Sequence, residues 1–371
     1  MRKEIISDGQ AISLMILFYL GTTITTGTSL GIGNNGWISI GLAMLEALPF
    51  LFICVRLLSA FPGKNLFDIL ELLLGKTLGK LVTLLYTIYA LQLGSFILRI
   101  FSMFVHSVAL PETPDFVTYI MMGALAAWIL RAGLEVMART AKFLLIVIII
   151  VLMAANLPSI GLLNIEYIKP VLGDGWAPVI KASFSSFAIP FSQSIILMGV
   201  VFMLEKKENI GRSYLKGYLA AGLVILLLGL RNILMLGGNY GSLQYFPSYT
   251  AISRIRVGRF IQRVEGAVDI ILLTTALFKT SINLLATTKG ICSLFNHQDY
   301  RVFALPVAIL AMVLADISFG STMQFAYFTD ILYPFYALPF QVFIPVLLFL
   351  VYIIRKRTGR LPVIPVEEDE S

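Results

Sequence analysis

The chain has 371 residues, of which 58% are hydrophobic and 13% charged, with a mean hydropathy of +0.88. A soluble domain carries about 25% charged and about 45–50% apolar residues, so a disordered chain, a fibre and an ordinary cytosolic enzyme are excluded. The net charge of +7 describes loop charge in such a chain. Nucleic-acid binding is disfavoured because the basic residues never form one contiguous patch.

Apolar runs long enough to cross the ~30 Å hydrocarbon layer recur along the whole length. Ten helices are predicted: Gln10–Gly31, Trp37–Phe61, Leu81–Val108, Phe116–Leu130 and Ala141–Leu157, then Pro178–Met203, Tyr214–Leu236, Phe260–Ile291, Val302–Ile317 and Ile331–Ile354. The expected fold class is an all-α polytopic membrane protein, one transmembrane domain over 1–371. The first run is too long in its apolar core for a cleavable signal peptide, and no small-residue cleavage site follows it. Two cysteines, Cys54 and Cys292, cannot make a disulfide framework. Lys64–Leu78 is apolar at helical spacing with charges opposite, as expected of a helix lying along the inner membrane surface. Gly238–Arg259 is long and Gly-rich, then aromatic, as expected of an outer cap. Residues 362–371 end in Glu367-Glu368-Asp369-Glu370, an acidic solvated tail.

With a cytoplasmic N-terminus, 19 basic residues fall on the inner side and six on the outer side. The positive-inside rule then places both termini in the cytoplasm of a multi-pass membrane protein.

Two of the ten runs are interrupted. Gly21-Thr22-Thr23-Ile24-Thr25-Thr26-Gly27-Thr28-Ser29 is a poor helix interior. Ser183–Gln193 is serine-rich and contains Pro190, which removes a backbone donor and clashes with the preceding turn. Unwound backbone survives in hydrocarbon only inside protein or along a cavity. Either break alone reads as close packing or a tolerated kink. Together they open the two halves of the chain, which predicts a five-plus-five inverted repeat (10–157 and 178–354) with broken helices 1 and 6 and a binding site at the breaks. Helix N-termini there would favour an anionic group.

Span three carries Gln92, Ser95, Arg99, Ser102 and His106 within an arc of roughly 80°. Span eight carries Glu265, Asp269, Thr275, Lys279, Asn283 and Thr287 within roughly 120°. Both faces point to protein or water. Lys279 lies far from either end of its span, where a charge costs at least ~2.5–3.5 kcal/mol. It either pairs with Glu46 of span two, snorkels to the inner interface, or meets the carboxylate of a ligand. Arg99 and Arg231 sit nearer an outer edge and read as structural. No phosphate loop, zinc-type cysteine pair or His cluster is present, so no catalytic residue, cofactor or metal is expected.

Several segments then match a known pattern. Phe61–Leu70 (FPGKNLFDIL) with Gly75–Lys80, Arg131–Arg139 (RAGLEVMAR), Pro170–Gly175 (PVLGDG), Phe246-Pro247 and Arg263-Val264-Glu265 resemble the spore-germination permease family. That family supplies the B subunits of germinant receptors and belongs to the amino acid–polyamine–organocation superfamily. The resemblance implies an inner-membrane, transporter-like subunit that senses a small nutrient germinant, such as an amino acid, beside an A-type subunit and a lipoprotein C-type subunit. It implies a ligand site at Gly21, Thr22 and Thr23 of the first break, Phe187, Pro190 and Gln193 of the second, Tyr89 as a gating aromatic, and Lys279 with Asn283 facing the ligand. Two departures stand out. Thr28 replaces a proline closing the first break, and Gln193 replaces an acidic residue after the second, which favours a ligand with an anionic group. The alternative function is a proton-coupled amino-acid transporter with Lys279 or Glu46 titrating; receptor and transporter would share fold and cavity.

Overall fold

A computed structural model describes residues 4–21, 23–26, 30–255, 265–359 and 361. The described residues are predominantly helical, and the one β-type contact among them is an isolated bridge between Ile6 and Leu204. In chain order the helices are α1 (Asp8–Leu20), α2 (Thr23–Thr26), α3 (Gly36–Ala60), α4 (Leu66–Leu74), α5 (Lys76–Phe104), α6 (Asp115–Ala132) and α7 (Leu134–Asn156). They continue with α8 (Trp176–Ala188), α9 (Ser194–Met198), α10 (Ile210–Leu236), α11 (Gly238–Gly241), α12 (Pro247–Ser253), α13 (Glu265–Phe295), α14 (Ala304–Ile317), α15 (Thr322–Tyr327), α16 (Tyr333–Leu338) and α17 (Ile344–Arg357).

Among the described residues, eight helical stretches are long and apolar enough to cross a membrane. The two expected spans missing from that set are the first and the sixth, the ones whose sequence is interrupted. The last stretch runs from Thr322 to Arg357 through two wide, π-type turns at Phe328–Leu332 and Pro339–Phe343, so it starts nine residues before the expected Ile331. The sixth ends earlier than expected: α9 stops at Met198 instead of Met203. The start of the expected eighth span and the acidic tail lie outside the described residues.

Local signals explain the boundaries. Ser7 caps α1 in a reciprocal box with Gln10, and the helix stops at Gly21. Asn65 caps α4, accepting from Phe67 N at 2.8 Å and Asp68 N at 3.1 Å. The apolar face of α4 meets protein, where the expected interfacial helix would turn it to lipid. Leu66, Phe67, Ile69, Leu70 and Leu73 are buried, and the helix packs on α5, α17 and α13. Burial raises the Asp68 carboxyl above the ordinary carboxylate range, against the pull of the Asn65 backbone donor and of Lys64 and Lys289.

The spans place α13 at the centre, packed on α5, α6, α7, α1 and α14. Its stripe of Thr275, Lys279, Asn283 and Thr287 is buried in protein. At the end of the bundle that carries the N-terminal segment, Glu4 accepts from Tyr300 Oη at 2.9 Å and Arg301 Nη2 at 2.8 Å. Ile5 N donates to Glu135 at 3.0 Å, and Ile6 exchanges backbone bonds with Met203 and Glu205. At the opposite end α11 and α12 form, and Phe104 packs edge-on against Phe246 and Tyr249, at 5.1 and 5.8 Å between centroids. There Arg99 has the structural partners its position suggests. Its Nη1 donates to Tyr119 Oη at 2.7 Å and lies 3.5 Å from Asp115, whose other oxygen accepts from Ser102 at 2.7 Å. His106, beyond α5, is exposed.

Candidate functional site at the two helix breaks

The first break is built around Gly21. Its backbone sits at φ 34°, ψ −127°, a left-handed conformation open to glycine and strained for other residues. The turn releases the Gly21 carbonyl from helix bonding, and Thr275 of α13 donates Oγ1 to it at 2.7 Å. A Cβ on Gly21 would lie 2.2 Å from Lys279 Cδ, so the lysine stem crosses directly over the glycine. Lys279 is 3% exposed, with its ammonium 5.4 Å from the centre of the Phe18 ring. It is folded into the break and does not snorkel to an interface.

Glu46 is not its partner. The Glu46 carboxylate accepts from Ser183 Oγ of α8 at 2.9 Å, and among the described residues no ion pair joins it, or another carboxylate, to Lys279. The candidate Lys279–Glu46 pair is therefore not formed: α8 packs on α3, and its Ser183 takes the carboxylate. Thr22 lies outside the described residues. Thr23 is buried, and its hydroxyl has no hydrogen-bond partner.

The second break joins α8 to α9 through Ile189, Pro190 and a tight turn over Phe191–Gln193. Gln341 organises it. Its Nε2 donates to the Ala188 carbonyl at 3.1 Å, which α8 leaves free at its end, and to Tyr89 Oη at 2.8 Å. Its Oε1 accepts from Ser192. Tyr89 and Tyr333 hydroxyls lie 2.9 Å apart, and Gln193 Nε2 donates to Tyr333 Oη at 3.2 Å. Tyr89 is held flat against Phe340, 4.3 Å between centroids and 3° from parallel. Tyr19 of α1 and Ser194 of α9 tie the two breaks together at 2.7 Å.

The structure thus brings Gly21 to Lys279, and Tyr89 to Gln193 through Tyr333. Asn283 donates to the Lys279 carbonyl one turn back, at 2.7 Å. Phe187 packs on Phe50 of α3 and Phe184 of its own helix. Gln341, Tyr333 and Tyr19 are absent from the sequence-based site. Gln341 had a usable signal: an amide inside an apolar span is costly unless it serves a polar partner.

Two buried amide oxygens, Gln193 Oε1 and Asn283 Oδ1, have no partner. In an apolar interior an unmet acceptor costs about 1–3 kcal/mol. The site therefore offers one cation for an anionic group and amide oxygens for a donor. Among the described residues no cluster of three or more His, Cys, Asp or Glu could hold a metal ion.

A family model described as spore germination protein matches residues 5–319. The chain belongs to the spore germination protein family. Spore germination protein KB of Bacillus subtilis (strain 168) is 25% identical over 365 residues, covering 96% of this chain and 97% of that protein. Putative spore germination protein YfkT of the same organism is 22% identical over 319 residues, covering 86% and 87%. Among solved structures, MhsT in complex with L-phenylalanine superposes with a TM-score of 0.63 at 15% identity, over 95% of this chain and 99% of that one. Mhp1, a nucleobase-cation-symport-1 family transporter in a closed conformation with bromovinylhydantoin bound, gives 0.64 at 13% identity, over 94% and 78%. This family member therefore has the LeuT-type transporter fold, the inverted-repeat class that the paired breaks predict, and is a multi-pass membrane protein.

Proposed function

We propose that the chain is the membrane subunit of a spore germinant receptor, binding a small nutrient germinant at the two helix breaks. The observation that carries this reading is Lys279, a buried ammonium lying across Gly21 with no carboxylate partner among the described residues. A charge in that position is stabilised by a ligand anion. With Gln193 Oε1 and Asn283 Oδ1 open to a donor, an amino acid supplies both groups. MhsT, of like fold, holds L-phenylalanine, which supports an amino acid as the ligand class.

Thr22 and Thr23 line the first break in this reading, Phe187 and Pro190 shape the second, and Tyr89 gates the cavity. The repeats span 10–157 and 178–354, giving ten crossings and both termini, with the acidic sequence 362–371, on the cytoplasmic side of the inner membrane. Ligand binding shifts the bundle between two states with different affinity and passes the shift to an A-type subunit and a lipoprotein C-type subunit. The transporter-like fold keeps a second reading open, proton-coupled amino-acid uptake.

One experiment tests both. The full chain is reconstituted in proteoliposomes and offered labelled amino acids with and without a proton gradient, beside a direct binding measurement. Saturable binding without accumulation supports the receptor, and gradient-driven accumulation by this chain alone overturns it in favour of the transporter. Absence of binding to every amino acid refutes the proposed ligand class.

A further inference from the structure

A second buried cation lies near the end of α10. Arg231 is 7% exposed, and its Nε and Nη1 atoms have no hydrogen-bond partner. No carboxylate among the described residues lies within ion-pair distance of it. It therefore differs from Arg99, whose tyrosine and aspartate partners make it structural. The two unpartnered nitrogens belong to different planar forks of the guanidinium, which share Nη2.

The next residue carries an unmet acceptor. Asn232 donates Nδ2 to Ser248 Oγ of α12 at 2.9 Å and leaves Oδ1 buried without a partner. The amide is thus fixed in place by one end while the other end is unmet. α12 packs on α2 as well as on α10, so this polar pair sits where the cap end of the bundle meets the helix that follows the Gly21 break. A guanidinium cannot shed its charge, and desolvating it without a counter-ion is among the costliest features a fold can carry.

We propose that Arg231 forms a second small-molecule site at the α2–α10–α12 junction, binding a small carboxylate through its fork, with Asn232 Oδ1 accepting from a donor on the same molecule. The two oxygens of a carboxylate match the two parallel donors of a fork, which a spherical chloride does not. The site uses none of the residues assigned to the ligand at the breaks, so it stands whether or not Lys279 contacts a germinant.

The test uses the full chain in lipid nanodiscs and acetate as the probe. Thermal unfolding is followed while sodium acetate replaces sodium chloride at constant ionic strength. In Lys279→Met, which removes the cation at the first break, acetate is expected to raise the melting temperature saturably. Lys279→Met with Arg231→Met is expected to lose that rise. Arg231→Lys keeps the charge but loses the fork, and is expected to need roughly tenfold more acetate, as for one lost charge-assisted hydrogen bond. It decides the matter if the methionine variant does not fold. An equal rise in the double variant, or no rise in Lys279→Met, overturns the proposal. So does acquisition of the acetate response only by Glu265→Gln, which would assign Arg231 to a glutamate whose side chain lies outside the described residues.

Discussion

Substituting Gly21 by alanine probes the first break most directly, since two separable costs meet there. At φ 34°, ψ −127° an L-residue pays about 1–3 kcal/mol of backbone strain. The new methyl would also stand 2.2 Å from Lys279 Cδ and 3.1 Å from the Phe18 carbonyl, so the lysine stem has to move. Overpacking of this kind costs about 1–3 kcal/mol more. The sum, about 2–6 kcal/mol, is a large part of the about 5–15 kcal/mol that holds a typical fold together. Lys279→Ala removes Cδ and leaves the backbone strain untouched. In that background Gly21→Ala should keep the backbone strain and the Phe18 contact but lose the clash with the lysine stem, giving a coupling of up to about 1–3 kcal/mol between the two sites. Unfolding of the four proteins in one detergent measures this cycle, and membrane abundance by immunoblot gives an independent check. An equal loss in both backgrounds would refute the packing of Lys279 over Gly21, and with it the description of the break.

Three further outcomes are expected. Lys279→Met should raise the half-maximal germinant concentration roughly ten- to a hundredfold at similar abundance, from the loss of a charge-assisted bond of about 1.5–3 kcal/mol. Adding Glu46→Gln should restore nothing, since Glu46 is held by Ser183, and a dose–response series of both variants checks this. Arg99→Met should lower abundance and melting temperature, as Tyr119 and Asp115 lose a donor worth about 1.5–3 kcal/mol; an unchanged melting curve would contradict its structural role. Asp68 binds its proton more readily folded than unfolded, so from the ordinary carboxylate value up to its raised value its contribution to stability falls as pH rises. Asp68→Asn should flatten that part of the stability–pH profile, and an unaltered slope would show that Asp68 does not titrate there.

Much of the architecture was legible because it is written in local chemistry. Apolar runs mark the spans wherever they occur, since hydrocarbon demands them. Gly21 and Pro190 mark the breaks because their backbone preferences act within one turn. The stripe from Thr275 to Thr287 turned inward as helical periodicity requires. The α4 segment shows the limit of that reasoning. Its amphipathic pattern was correct, but an apolar face looks the same whether it meets lipid or protein.

The pairing of polar groups was decided by the tertiary structure alone. Glu46 and Ser183 are 137 positions apart, Tyr89 and Gln341 252, and Tyr19 and Ser194 175. Periodicity can say that such groups face inward, but the packing of α8, α9 and the last span selects which of them meet. The same holds for the two buried cations near the outer edge of their spans, Arg99 and Arg231. By sequence they are alike. The fold brings Asp115 and Tyr119 to Arg99 and brings Arg231 no carboxylate among the described residues, because a counter-ion is supplied by neighbouring helices and not by the helix that carries the charge.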